Sequence, residues 1–133
     1  MSLRTGVGSG WTKRVLVAAA VIGSVLAGSF AVGSPAQASS KWGCEYPRVC
    51  FYLTAQNFLD DKPTAAFRDV TSGYQNLGAR SRGAFLVFNS RNDDGALLHF
   101  SNGRTYCLAP NASVFGQDIG TVDKIRISWS PSC

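Results

Sequence analysis

The chain reads as an all-β protein, a small antiparallel β-sandwich stapled by disulfides. Three observations predict this. Short β-branched and aromatic runs recur between turn residues from Ser39 onward, helical periodicity is scarce there, and all four cysteines (Cys44, Cys50, Cys107, Cys133) lie in the same part.

What precedes Ser39 has a different character. Arg4, Lys13 and Arg14 lead into an apolar run from Val15 to Val32, which ends near the small-residue triplet Ala36-Gln37-Ala38. That is the order of parts in a secretory signal peptide. The run is near the lower limit for crossing a bilayer, but Gly23, Ser24, Gly28 and Ser29 interrupt it, which favours removal over anchoring. Residues 1–38 are therefore expected to be a signal peptide and residues 39–133 a single secreted, extracellular β domain. It should be a monomer with no stable membrane association after cleavage. Removing the three basic residues leaves ten Lys and Arg against eight Asp and Glu, a net charge of +2. The basic character of the whole chain is thus largely a property of its first segment, and no nucleic-acid partner is expected.

The 95 residues left from the 133 after removal of 38 bury too little surface for a wide stability margin without cross-links. An even cysteine count in an exported chain implies two disulfides. The six-residue separation of Cys44 and Cys50 and the terminal place of Cys133 favour Cys44–Cys50 and Cys107–Cys133. The spacings do not follow the C-x2-C pattern of zinc sites.

Strands are expected at Val49–Leu53, Ala66–Val70, Ala84–Asn89, Ala96–Phe100, Arg104–Leu108 and Asp123–Trp129. Asn102-Gly103 is a strong two-residue hairpin signal, because both residues tolerate positive φ. Asn92-Asp93-Asp94-Gly95 separates the preceding pair of runs in the same manner. The middle of the domain therefore reads as a three-stranded meander. Its first strand, Ala84-Phe85-Leu86-Val87-Phe88, is apolar on both faces, which suits a strand covered on both sides. In the last strand Ile125, Ile127 and Trp129 alternate with Lys124, Arg126 and Ser128, which predicts one wet face. The long loops are Gln56–Ala66 and Asn111–Gly120. A short helix, if present, belongs at Asp60–Phe67, and Pro63 keeps Lys62 out of helical geometry.

Candidate chemistry is sparse. His99 is the lone histidine and reads as a partly exposed strand residue rather than a base. Asp60-Asp61 and Asp93-Asp94 read as turn formers, since neighbours in sequence point different ways. Arg80 and Arg82 would share one face if the Ala84 strand extended backward. Paired cysteines leave no thiol nucleophile, and no acid, base and nucleophile assemble, so an enzyme is not expected. Most aromatic residues must be core. Phe115, on a loop, is a candidate contact residue.

The order Cys44-x5-Cys50-Phe51-Tyr52, then Phe58, then Tyr74-Gln75-Asn76-Leu77, resembles the secreted bacterial peptidase-inhibitor family with a βγ-crystallin-like fold, which includes metalloproteinase inhibitors. The resemblance covers the first half of the domain best. It implies a βγ-crystallin-like sandwich that inhibits an extracellular protease, most readily a metalloproteinase, through a rigid disulfide-supported loop. A secreted non-enzymatic binding or toxin-like module of the same fold is the alternative. The Asp60–Ala65 stretch approaches the calcium pattern of that fold but ends in alanine, and Arg and Lys occupy the other ligand places. Neither a metal nor another cofactor is expected. Within the family picture the candidate inhibitory residues are Tyr106, Cys107, Leu108 and Phe115. The Cys107–Leu108 bond offers a disulfide-anchored bond followed by a large aliphatic residue, with Ala109-Pro110 stiffening the exit. The favoured reading of Leu108 is nevertheless an inward strand residue closing the Asn102-Gly103 hairpin.

Overall fold

A computed structural model describes residues 40–133 of the 133-residue chain. The expected signal peptide and its cleavage point lie outside the described residues.

In chain order the elements are β1 (Val49–Tyr52), α1 (Ala55–Leu59), β2 (Ala65–Phe67), β3 (Gln75–Asn76), β4 (Leu86–Asn89), β5 (Ala96–Phe100), β6 (Thr105–Leu108), β7 (Ser113–Phe115), α2 (Gly116–Ile119) and β8 (Val122–Ile127). The strands form two antiparallel four-stranded sheets, one ordered β2-β1-β4-β7 and the other β3-β8-β5-β6. The all-β, two-sheet expectation holds.

The topology contains an internal repeat. Strands β1 to β4 and β5 to β8 each make a four-strand unit in which the first strand pairs with the second and the fourth. The third strand of each unit leaves it: β3 pairs with β8, and β7 pairs with β4. Neither sheet is complete without a strand from the other half.

Alternation along β1 and β4 divides their side chains between two apolar layers. Val49, Phe51 and Val87 join Leu98, Phe100, Leu108, Val122, Ile125 and Ile127 in the main core. Cys50, Tyr52, Leu86 and Phe88 form a second cluster with Cys44, and Trp42, Phe58 and Phe85 pack on it. The register agrees, because Cys50 faces Phe88 and Tyr52 faces Leu86 across the ladder. Trp42 meets Phe58 and Phe88 edge-to-face, with centroids 4.9 and 5.0 Å apart. The N-terminal segment and α1 thus form a partial third layer over the first sheet. This is why β1 and β4 are buried at every position. The expectation that the β4 strand is covered on both sides is met.

The second sheet keeps one wet face, as its alternation predicts. Along β8, Val122, Ile125 and Ile127 are buried, whereas Asp123, Lys124 and Arg126 are only partly so. Val122 and Ile125 can both point inward because the register shifts by one residue opposite His99 and Phe100. A bulge of this kind sets two residues against one, here Asp123 and Lys124 against His99.

Several expectations are corrected. β4 and β5 do not form a hairpin and lie in different sheets, so the meander is absent. Ser90–Gly95 is instead a crossover held by buried polar contacts. Asn89 Nδ2 donates to the carbonyls of Asp94 and Leu108 at 2.9 and 3.1 Å. Arg91 pairs with Asp94 and donates to the carbonyls of Pro47 and Arg68. Asp94 is therefore a buried ion-pair partner rather than a turn former. The helix stands at Ala55–Leu59 and not at Asp60–Phe67, because Thr54 and Asn57 make a reciprocal capping box that starts it early. Asp60 is its C-cap, and after Pro63 the chain is extended as β2. The expected Ala66–Val70 strand is Ala65–Phe67, with Val70 making only an isolated parallel bridge to Ile127. Inside the expected Asn111–Gly120 loop lie β7 and α2. Arg80 and Arg82 share no strand face, since Gly78–Gly83 folds as turns in which the Ser81 and Arg82 amides donate to the Gly78 carbonyl.

Candidate binding loop and the wet face of the second sheet

The two disulfides link Cys44 with Cys50 and Cys107 with Cys133, with Cα separations of 5.8 and 5.9 Å. The pairing is the one favoured by spacing. Both bridges suit an oxidising compartment. Among the described residues no helix is long and apolar enough to cross a membrane.

The second bridge fixes the end of the chain. Pairing of β8 with β5 stops at Ile127, yet the segment beyond it stays attached to Gly95. The Ser128 amide donates to the Gly95 carbonyl at 3.0 Å, and the Gly95 amide donates to the Ser130 carbonyl at 2.8 Å. Gly95 is required for this approach, because a Cβ there would stand 2.8 Å from both Cys133 Sγ and the Pro131 carbonyl oxygen. Within the loop, Ser130 N–H donates to Ser128 Oγ at 3.0 Å, and Cys133 N–H donates to the Ser130 carbonyl at 3.3 Å.

Between the two anchor points Trp129 turns outward and is 85% exposed. Alternation placed this residue inward, and that reading is corrected. Parity holds only while the strand continues, and the Gly95 contacts with the Cys133 bridge redirect the chain two residues before Pro131. The available signal was Trp-Ser-Pro-Ser-Cys itself, a bulky aromatic in a turn-forming context beside a cysteine.

The four candidate inhibitory residues do not come together. Tyr106, Cys107 and Leu108 belong to β6, an edge strand of the second sheet, whereas Phe115 ends β7, an edge strand of the first. Leu108 is buried in the core, so its side chain meets the hairpin-closing role and is not presented to a partner. Tyr106 is 41% exposed. Phe115 is half-exposed and packs edge-to-face on Phe85, with centroids 5.4 Å apart.

On the wet face of the second sheet, His99 Nδ1 lies 2.6 Å from Asp123 Oδ1. This histidine is partly exposed, as expected, but the bulge in β8 gives it a carboxylate partner that sequence parity does not reveal. The hydrogen bond from His99 holds the Asp123 carboxyl below the usual carboxylate range. Partial burial opposes this, and the charges of His99, Lys124 and Arg82 reinforce it. Tyr74 stands edge-on to His99, with centroids 5.5 Å apart, and the Arg126 guanidinium lies over the Tyr74 ring at 5.8 Å. None of these contacts could be assigned from sequence, because Tyr74 is supplied by the loop leading into the exchanged strand β3.

Comparison of the chain with known protein families, with curated proteins and with solved structures returns no match.

Proposed function

We propose that the chain is exported and that its oxidised domain acts as a non-enzymatic binding protein, in the first instance an inhibitor of an extracellular peptidase, through the Ser128–Cys133 loop. The observation that carries this reading is Trp129, 85% exposed on a loop tied to Gly95 on one side and to Cys107 on the other. Leaving a tryptophan in water forgoes a large burial gain, and buried tryptophans are among the strongest anchors in protein interfaces. A loop already held in one shape loses less entropy on docking and resists being cut. The peptidase class, with metalloproteinases first, rests on the resemblance of the Cys44–Leu77 region. A βγ-crystallin-like arrangement is part of the proposal. It is supported by the two four-strand units that exchange their third strands.

The test is to incubate the disulfide-intact protein with metallo-, serine and cysteine peptidases and read residual activity. Stoichiometric inhibition of one class is expected. Trp129→Ala should weaken it at least about 30-fold, the equivalent of the ~2 kcal/mol of an anchor residue. Leu108→Val, which keeps the core filled, should leave it unchanged. If no class is inhibited at micromolar concentration, or if Trp129→Ala inhibits as well as the parent, the reading is wrong.

A further inference from the structure

Arg82, Lys124 and Arg126 stand against one acidic residue, Asp123, at the wet face of the second sheet, so the net +2 of residues 39–133 is gathered there. Of the eight acidic residues in the chain, Asp123 is the one carried by a strand of this sheet, and it is already engaged by His99. Around it stand Lys124 on the same bulge, Arg82, whose neighbour Gly83 donates its amide to the Val122 carbonyl at 2.9 Å, and Arg126 over Tyr74. We propose that this face, formed by Tyr74, Arg82, His99, Lys124 and Arg126 about Asp123, is a docking surface for a carboxylate-rich segment of a protein partner.

Three observations favour a protein carboxylate over other anions. Among the described residues Lys124 and Arg126 make no ion pair, so their donors are open to an incoming carboxylate, while His99 at 2.6 Å already offsets Asp123. Arginine and tyrosine in contact, with tyrosine half-exposed, are the residue types enriched at protein interfaces. A net charge of +2 over residues 39–133 is small for a nucleic-acid binder, whose affinity grows with the number of phosphates it neutralises. The inference does not rest on the peptidase reading or on Trp129.

The probe is a capped peptide of alternating Glu and Tyr, compared with the same peptide carrying Gln for Glu. The readouts are fluorescence anisotropy and amide chemical-shift mapping on the disulfide-intact protein. The Glu peptide should bind with shifts centred on Asn76, His99, Lys124 and Arg126, and more weakly as salt is raised. Lys124→Glu with Arg126→Glu should weaken it at least about tenfold, as like charges replace attractive ones, and Lys124→Gln with Arg126→Gln by less. Trp129→Ala should leave it unchanged, so a failed inhibitor reading and a failed docking face give different results. Circular dichroism checks that each variant is folded. Equal binding of the Gln peptide, shifts elsewhere on the domain, or tighter binding of a heparin fragment or an oligonucleotide to the same residues would overturn the proposal.

Discussion

Tyr52 and Asp123 are two acids whose environments move them in opposite directions. Tyr52 donates its hydroxyl to the Trp42 carbonyl at 2.5 Å from within the aromatic layer over the first sheet. Burial, with Asp61 adding the same sign, pushes its phenol from 10.0 up to about 12. The raised value means that its stabilising effect is fully present below pH 10.0 and is lost as pH rises toward about 12. Near-ultraviolet absorbance during alkaline titration should show one of the four tyrosines ionising late, together with the loss of fold. Asp123 runs the other way. Its lowered value means stability that is present above the ordinary 3.8 and is lost as pH falls through the folded value. Carbon NMR should find its carboxyl titrating below the usual range, and His99→Leu should return it toward that range. A value unmoved by His99→Leu would show that the nearby cations dominate.

At the scale of elements, the connection between β4 and β5 decides the architecture, and its key side chain is Arg91. Arg91 and Asp94 are nearly buried, and the guanidinium also satisfies the Pro47 and Arg68 carbonyls. Replacing Arg91 by Met leaves a buried carboxylate and two carbonyls without their donor, which should cost about 3–5 kcal/mol in urea unfolding. Adding Asp94→Leu should recover part of that loss, since removing both charges is less harmful than stranding one. Asn92-Asp93-Asp94-Gly95 gave a turn signal and the chain bends at Asn92 and Asp93, but composition does not say whether a bend returns the chain to its own sheet or sends it to the other. The same limit explains why a helix expected at Asp60–Phe67 stands at Ala55–Leu59. Thr54 was legible as a cap only once Asn57 was known to face it.

For the whole molecule the exchange of β3 and β7 has a thermodynamic consequence. Each four-strand unit lacks the strand that would cover one edge of its sheet, and the main core draws residues from both units. The fragment 40–91, even with Cys44–Cys50 oxidised, should therefore show no cooperative unfolding, whereas the intact domain should unfold in one transition by fluorescence and by far-ultraviolet circular dichroism. Mixing it with the fragment 92–133 should restore structure. A stable isolated half would contradict the exchanged topology.

The sequence by itself determined six of the eight strands, with β3 and β7 unforeseen, and also the doubly covered β4, the single wet face of β8, the β5–β6 hairpin and the two disulfides. Most of these rest on local chemistry: period-two alternation, residues that tolerate positive φ at a turn, or the short spacing of Cys44 and Cys50, which leaves Cys107 and Cys133, 26 residues apart, as the remaining pair. Which strands share a sheet was decided only by the tertiary structure, since long-range pairing depends on cores that no local window contains. The placing of Trp129 and the meeting of His99 with Asp123 were decided there too. A one-residue bulge in β8 and a close approach to Gly95 each reverse the side-chain parity on which a strand reading depends.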